Sequence, residues 1–226
     1  MPGERIFTDQ ELKAMGIRTV DAIITAIEAG QPEEAVKLTH RMYREFEAMH
    51  DLYRDWTTAL LSFIYRNYGD QALNDSLSES CHSWLQPLLE LYESTPEPAK
   101  RARMLATGLR GHLQPLEIEE DDEKFILRMI PCGSGGRLIR DGGYGPPKNY
   151  ATVEKAQDLT YHIKDLPIYC THCPFQEIIP IELKGYPLFV TIPSENLGEE
   201  PCSILLYKDL KAVPEEYFRR VNKTRD

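Results

Sequence analysis

The sequence predicts an α+β protein: an N-terminal helical bundle over residues 1–120, then a small α+β module over residues 121–226 with a short antiparallel sheet and a cysteine metal site. Three observations carry this. Apolar residues recur at helical spacing through the first half; an acidic stretch, Glu117 to Glu123, then interrupts them with Ile118 its only apolar residue. Beyond it the apolar runs shorten and are bounded by Gly and Pro. With 226 residues, 42% of them hydrophobic, the chain has ample material for a core without covalent staples.

Thr8 followed by Glu11 is a capping box that ties down two orphan amides at a helix start, and Gly16 and Gly30 read as stops. Pro32 suits the first turn of the longest helix. Within it Met42, Phe46, Met49, Tyr53, Trp56, Leu60 and Phe63 alternate spacings of four and three, a seam expected to be core, and Gly69 ends it. The next helix carries Leu73, Leu77, Cys81, Trp84, Leu88 and Leu91 on one face, with a kink expected at Pro87. A further helix runs from about Pro98 to His112. Past the acidic stretch come a strand from Phe125 to Ile130, a glycine-rich loop from Cys132 to Pro147, and β segments at Leu188–Ile192 and Ser203–Tyr207. Pro214-Glu215-Glu216 opens a last helix, with acids where the helix dipole favours them.

The net charge of −10 and the absence of a basic cluster exclude nucleic acid as a partner. No apolar run approaches the ~20 residues that cross a bilayer, and Met1 to Arg5 lacks the apolar core of a signal peptide, so a cytoplasmic protein is expected, with no membrane partner. Homo-oligomer formation stays open. The five cysteines are then reduced thiols, and their spacing becomes a question of metal chemistry.

Cys170 and Cys173 form a CxxC knuckle, which brings two thiolates from one turn to the same ion. Cys132 lies just past one expected strand and Cys202 just before another, so pairing of those strands would gather all four sulfurs. Four thiolates suit zinc; an iron–sulfur cluster takes four as well, but the spacing matches neither common ferredoxin run, so zinc is preferred. His172 or His162 could replace one sulfur, and the competing reading is four ordinary buried cysteines. Cys81, on an apolar seam, reads as packing.

Backbone amides of the glycine-rich loop, with Arg137 and Arg140, would suit a small anionic ligand; a mobile surface loop is the competing reading. Glu47-x-x-His50 and Glu79-x-x-His82 match the pairs of di-iron bundles, but at about 100° per residue Glu47, Glu79 and His82 fall off the seams and toward solvent. His50, flanking the seam beside Asp51 and Asp55, is a candidate proton carrier or a hydrogen-bonded structural residue, and His172 is the other candidate.

The segment Cys202-Ser203-Ile204-Leu205-Leu206-Tyr207-Lys208-Asp209, preceded by the Cys170/Cys173 pair, resembles the end of the L-2-amino-thiazoline-4-carboxylic acid hydrolase-like proteins. The Trp56 to Ala72 region, with Tyr68-Gly69-Asp70-Gln71-Ala72 turning into a new helix, has a similar cadence. The likeness covers about a third of the chain, leaves the Pro131-Cys132-Gly133 loop unmatched, and implies hydrolysis of a small cyclic amidine-like acid without assigning a catalytic residue. Two functions follow. One is a zinc-dependent hydrolase of a small organic acid, with Arg137 or Arg140 on the carboxylate and His50 or His172 moving the proton. The other is a non-catalytic small-molecule-binding or sensor protein braced by structural zinc; a di-iron oxygenase ranks third.

Overall fold

A computed structural model describes residues 6–225, so Met1–Arg5, read above for a targeting signal, lie outside the described residues. The chain divides into two compact units, Met1–Tyr53 and Arg54–Asp226. No helix among the described residues is long and apolar enough to cross a membrane.

In the first unit α1 (Asp9–Met15) opens on the expected capping box: the Thr8 amide donates to Glu11 Oε2 at 2.8 Å and the Glu11 amide to Thr8 Oγ1 at 3.3 Å. α2 (Thr19–Glu28) follows, and Gly30, at φ 67°, turns the chain into α3 (Pro32–Glu93), which passes into the second unit. Gly69, at φ 80° and ψ −171°, breaks α3 where the sequence placed a stop. Pro87 sits inside the helix with helical torsions and is exposed, its ring on the solvent side.

The seam is the main correction. Met42, Phe46, Met49 and Tyr53 in the first unit, and Trp56, Leu60 and Phe63 in the second, are 39–59% exposed rather than core. A periodic stripe fixes which residues share a face, not what covers that face. Past Gly69 the buried line is Leu73, Leu77, Cys81, Leu85, Leu89 and Tyr92, with Trp84 and Leu91 exposed. α4 (Pro98–Arg110) packs beside it through Leu105 and Ala106.

The acidic stretch is no linker between modules. Its first half is β1 (Leu116–Glu120), paired antiparallel with β2 (Lys124–Met129), and Asp121 closes the hairpin by accepting from the Glu123 and Lys124 amides at 2.8 and 2.7 Å. β1 is an edge strand with four of its five residues exposed, where acidic side chains are tolerated and discourage further pairing. The four-stranded sheet runs β1-β2-β6-β5, with β5 Val190–Ile192 and β6 Ser203–Tyr207. Strand β6 feeds both faces: Ile204 and Leu206 join the cluster of Leu89, Leu127 and Phe189, while Leu205 and Tyr207 join Ile178, Val213 and Phe218. That two-sided burial is why β6 reads as a continuous apolar run. Between β2 and β5 lie α5 (Gly135–Arg140), a small ladder of β3 (Thr152–Val153) with β4 (Leu166–Pro167), and α6 (His172–Lys184); α7 (Glu215–Arg219) follows β6.

Candidate metal centre

Antiparallel pairing of β2 with β6 sets the end of one beside the start of the other, and the Met129 amide donates to Cys202 O at 3.0 Å. Cys132 and Cys202 are thereby brought to one end of the sheet. Cys170 comes from the 3-10 turn Ile168–Thr171 and Cys173 from the first turn of α6; the Thr171 hydroxyl, donating to Ile168 O at 2.7 Å, fixes the turn between them. All four cysteines line one cavity of about 50 Å³, with Met129, Ile139, Leu166 and Leu197 among its apolar walls. This is space for roughly three or four waters, well beyond a bare ion. A second cavity of about 90 Å³ shares Cys132, Cys170 and Cys173 and adds His112, Ser134, Tyr169, His172 and Gln176.

Two glycines permit the approach. A Cβ on Gly133 would stand 1.8 Å from His112 O, and one on Gly135 would stand 3.0 Å from Cys170 Sγ. The Gly133 amide donates to the buried Gln114 Oε1 at 2.6 Å, and His112 Nδ1 lies 2.9 Å from Ser134 Oγ. The glycine-rich segment is therefore folded against the residues before β1, with α5 inside it, and is not a free surface loop.

Among the described residues no three His, Cys, Asp or Glu side chains are grouped as a metal ion requires. Burial pushes the Cys173 thiol up to about 12 and Cys202 to about 11. Cys170 is pushed well above the ordinary thiol range by burial first and then by repulsion from Cys173, Cys132 and Cys202. Ionising this set without a cation would place like charges side by side in an apolar cavity.

Thr191, on β5, lines both cavities. It is 4% exposed, and its Oγ1 is buried without a hydrogen-bond partner among the described residues. Its backbone amide is satisfied by Glu177 Oε1 at 2.8 Å. Glu177, fully buried on α6, also accepts from the Tyr161 hydroxyl at 2.6 Å and from Arg220 Nη2 at 2.7 and 2.6 Å, while the Arg220 guanidinium lies 4.3 Å from the Tyr161 ring centroid. Burial pushes the Glu177 carboxyl up, and these donors oppose that push. The network braces Tyr161 and Thr191 as one wall of the cavity.

No family model, curated protein or solved structure matches this chain. The site therefore rests on its own geometry.

The other expected site residues lie as follows. His172 borders the second cavity; its Nδ1 is 2.5 Å from Tyr169 O and its Nε2 3.9 Å from Cys173 Sγ, and burial lowers its pKa, so the ring is neutral. With Nδ1–H donating to the carbonyl, Nε2 is an acceptor facing the thiol. His162 lines neither cavity and lies 3.4 Å from Asp158. His50 belongs to the first unit, half-buried, with Nδ1 3.1 Å from Asp51 Oδ1. Asp55 binds Lys148 at 2.7 Å and Arg54 reaches Asp141 at 3.2 Å, so this charged pair pins the helix to the segment after α5. Arg137 Nε donates to Gly133 O at 3.0 Å and Arg140 Nη1 to Gly198 O at 2.8 Å; neither lines either of these two cavities, and these bonds brace backbone. Glu79 and His82 are exposed, as their phase on the helix requires, and Cys81 is buried packing, its thiol pushed up to about 11.

Thr191, Tyr161 and Glu177 were missed. Glu177 had a signal: it is the one charged residue in Pro174-Phe175-Gln176-Glu177-Ile178-Ile179-Pro180-Ile181. A lone acid in so apolar a run has to be buried and paired.

Proposed function

We infer that the second unit is a redox module in which Cys132, Cys170, Cys173 and Cys202 hold an iron–sulfur cluster of the four-thiolate kind. The observation that carries this is the ring of four cysteines around one apolar cavity. Zinc would need all its sulfurs at about 2.3 Å from one point. A cluster interposes its own iron and sulfide atoms, so its thiolates stand apart around a volume, and a cavity lined by four cysteines suits that demand. Loop spacing favoured zinc; the cavity favours the cluster. When bound, the cluster would take one electron from a reduced carrier and return it to an acceptor. The chain's own part is to exclude water through Met129, Ile139, Leu166 and Leu197, and to offer the Thr191 hydroxyl as a donor to a cluster or cysteine sulfur.

The second reading is the zinc-dependent hydrolase of a small organic acid. It draws on the hydrolase-like stretches and on His172, whose acceptor nitrogen faces the Cys173 thiol. A set of four thiolates leaves no open coordination position, which argues for a binding or redox role over hydrolysis.

The deciding experiment is anaerobic purification with analysis of iron, acid-labile sulfide and zinc, followed by electron paramagnetic resonance after reduction. Iron and sulfide in equal amounts, lost in Cys170→Ser and Cys173→Ser, are expected. About one zinc per chain and no sulfide would replace the cluster with zinc, and a ligand count of three or four would then separate the hydrolase from a structural site. Folded protein that binds neither, even after reconstitution with iron and sulfide, would end both readings.

A further inference from the structure

The second cavity, of about 90 Å³, has space for roughly six waters and meets the first along Cys132, Cys170 and Cys173. None of its lining residues is Arg, Lys, Asp or Glu. Gln114 and Ile204 at its inner end are buried, Gln176 and His172 are half-buried, and His112 is exposed, so the space leads inward from the surface. Two carboxamides from separate elements line it with hydrogen-bonding groups to spare. Gln114, in the turn between α4 and β1, is 5% exposed. Its Oε1 accepts from the Gly133 amide at 2.6 Å, which fixes the orientation of the carboxamide and leaves Nε2 without a partner among the described residues. Gln176, one turn beyond His172 on α6, makes no side-chain hydrogen bond among the described residues. A buried amide left dry is costly, so a polar occupant is expected here.

We propose that this cavity binds a small neutral molecule carrying a carbonyl oxygen beside an N–H, a primary carboxamide being the simplest. The order of donors and acceptors selects that class. At the buried end Gln114 can offer only N–H, because its oxygen is already engaged. Toward the mouth Gln176 Oε1 and His172 Nε2 are acceptors. A carboxamide satisfies both ends, its oxygen accepting from Gln114 Nε2 and its N–H donating to Gln176 Oε1 or His172 Nε2. A carboxylate would bring a charge that no lining residue balances, and it has no N–H for the outer acceptors. A cation would present more donors to the fixed donors of Gln114. Volume sets the size at about four to six non-hydrogen atoms. The Thr191 hydroxyl, on the wall common to both cavities, stays available to sulfur. A ligand so placed rests beside the candidate metal centre, yet no cysteine supplies its hydrogen bonds. The proposal therefore stands whether or not the cysteines hold a cluster.

Titration of the full chain with acetamide, acetate and acetamidine, followed through the methyl resonance of each probe, tests it. Acetamide has four non-hydrogen atoms and should bind wild type saturably, with a Kd of about 1–10 mM. Acetate and acetamidine should bind at least about tenfold more weakly. Gln176→Leu, at a half-buried side chain that bonds to nothing in the fold, should weaken acetamide about three- to tenfold without lowering the melting temperature. Gln176→Glu places a carboxylate at the outer end and should turn the preference about tenfold toward acetamidine. No saturable acetamide binding to folded wild type would overturn the proposal. So would acetate bound as tightly as acetamide, or acetamide and acetamidine affinities that neither variant changes.

Discussion

The first unit is the part of the sequence with the clearest periodicity, and among its described residues it buries three small side chains. The second unit has short, irregular apolar runs and encloses three clusters, among them Leu73, Phe175, Leu127, Leu206 and Phe218. Periodicity reports which side chains share a face, whereas burial depends on what meets that face. In the second unit the partner is another segment of the same chain; in the first, no such core forms.

The contrast can be broken most forcefully at Glu177. Glu177→Ala strands Arg220, the Tyr161 hydroxyl and the Thr191 amide in the interior, and should cost about 3–5 kcal/mol. Chemical denaturation should show the second unit losing its cooperative transition. A loss under about 1 kcal/mol would mean that the network does not hold the wall.

Next in size is a matched pair of truncations. Leu89→Ala, at a side chain 1% exposed, should cost about 2–5 kcal/mol at every protein concentration. Met49→Ala, at one 50% exposed, should cost under about 0.5 kcal/mol. Equal losses would erase the distinction between the units.

A substitution at the orphaned hydroxyl changes sign with occupancy. In the metal-free chain Thr191→Val removes a buried donor without changing shape and should stabilise by about 1 kcal/mol. In the loaded protein the hydroxyl has a sulfur to bond, so the same change should be neutral or destabilising by a similar amount, and the reduction potential should fall. No difference between the two states would remove Thr191 from the site.

The smallest effect belongs to the hairpin. Hydrogen bonds from the Lys124 side chain and the Lys124 and Glu123 amides hold the Asp121 carboxyl at about 2. Its folded pKa lies below its unfolded one, so the stabilisation is present above the ordinary Asp range and is lost as pH falls through about 2. Asp121→Asn should lower the melting temperature slightly near neutrality, by less at acid pH.

Much of the second unit was legible because its signals are local. Ser203–Tyr207, Gly69 and the proline-led last helix follow from composition and turn chemistry in a few residues. The gathering of Cys132 with Cys202 was legible too, since it required only that two flanking strands pair. The acidic hairpin was misread because Glu117 and Glu119 look like a linker until the edge position of β1 is known. Thr191 carries no signal at all: a threonine in a short strand is ordinary, and only three-dimensional accounting of its hydroxyl marks it.

The order β1-β2-β6-β5 places the strand that comes last in sequence inside the sheet, between partners already made. The sheet cannot grow from one edge to the other as the chain lengthens; β2 and β5 must wait, unpaired on their facing sides, until β6 enters. Cys202 arrives with that strand. Folding of the second unit and the gathering of its four cysteines are therefore one event, late and non-local.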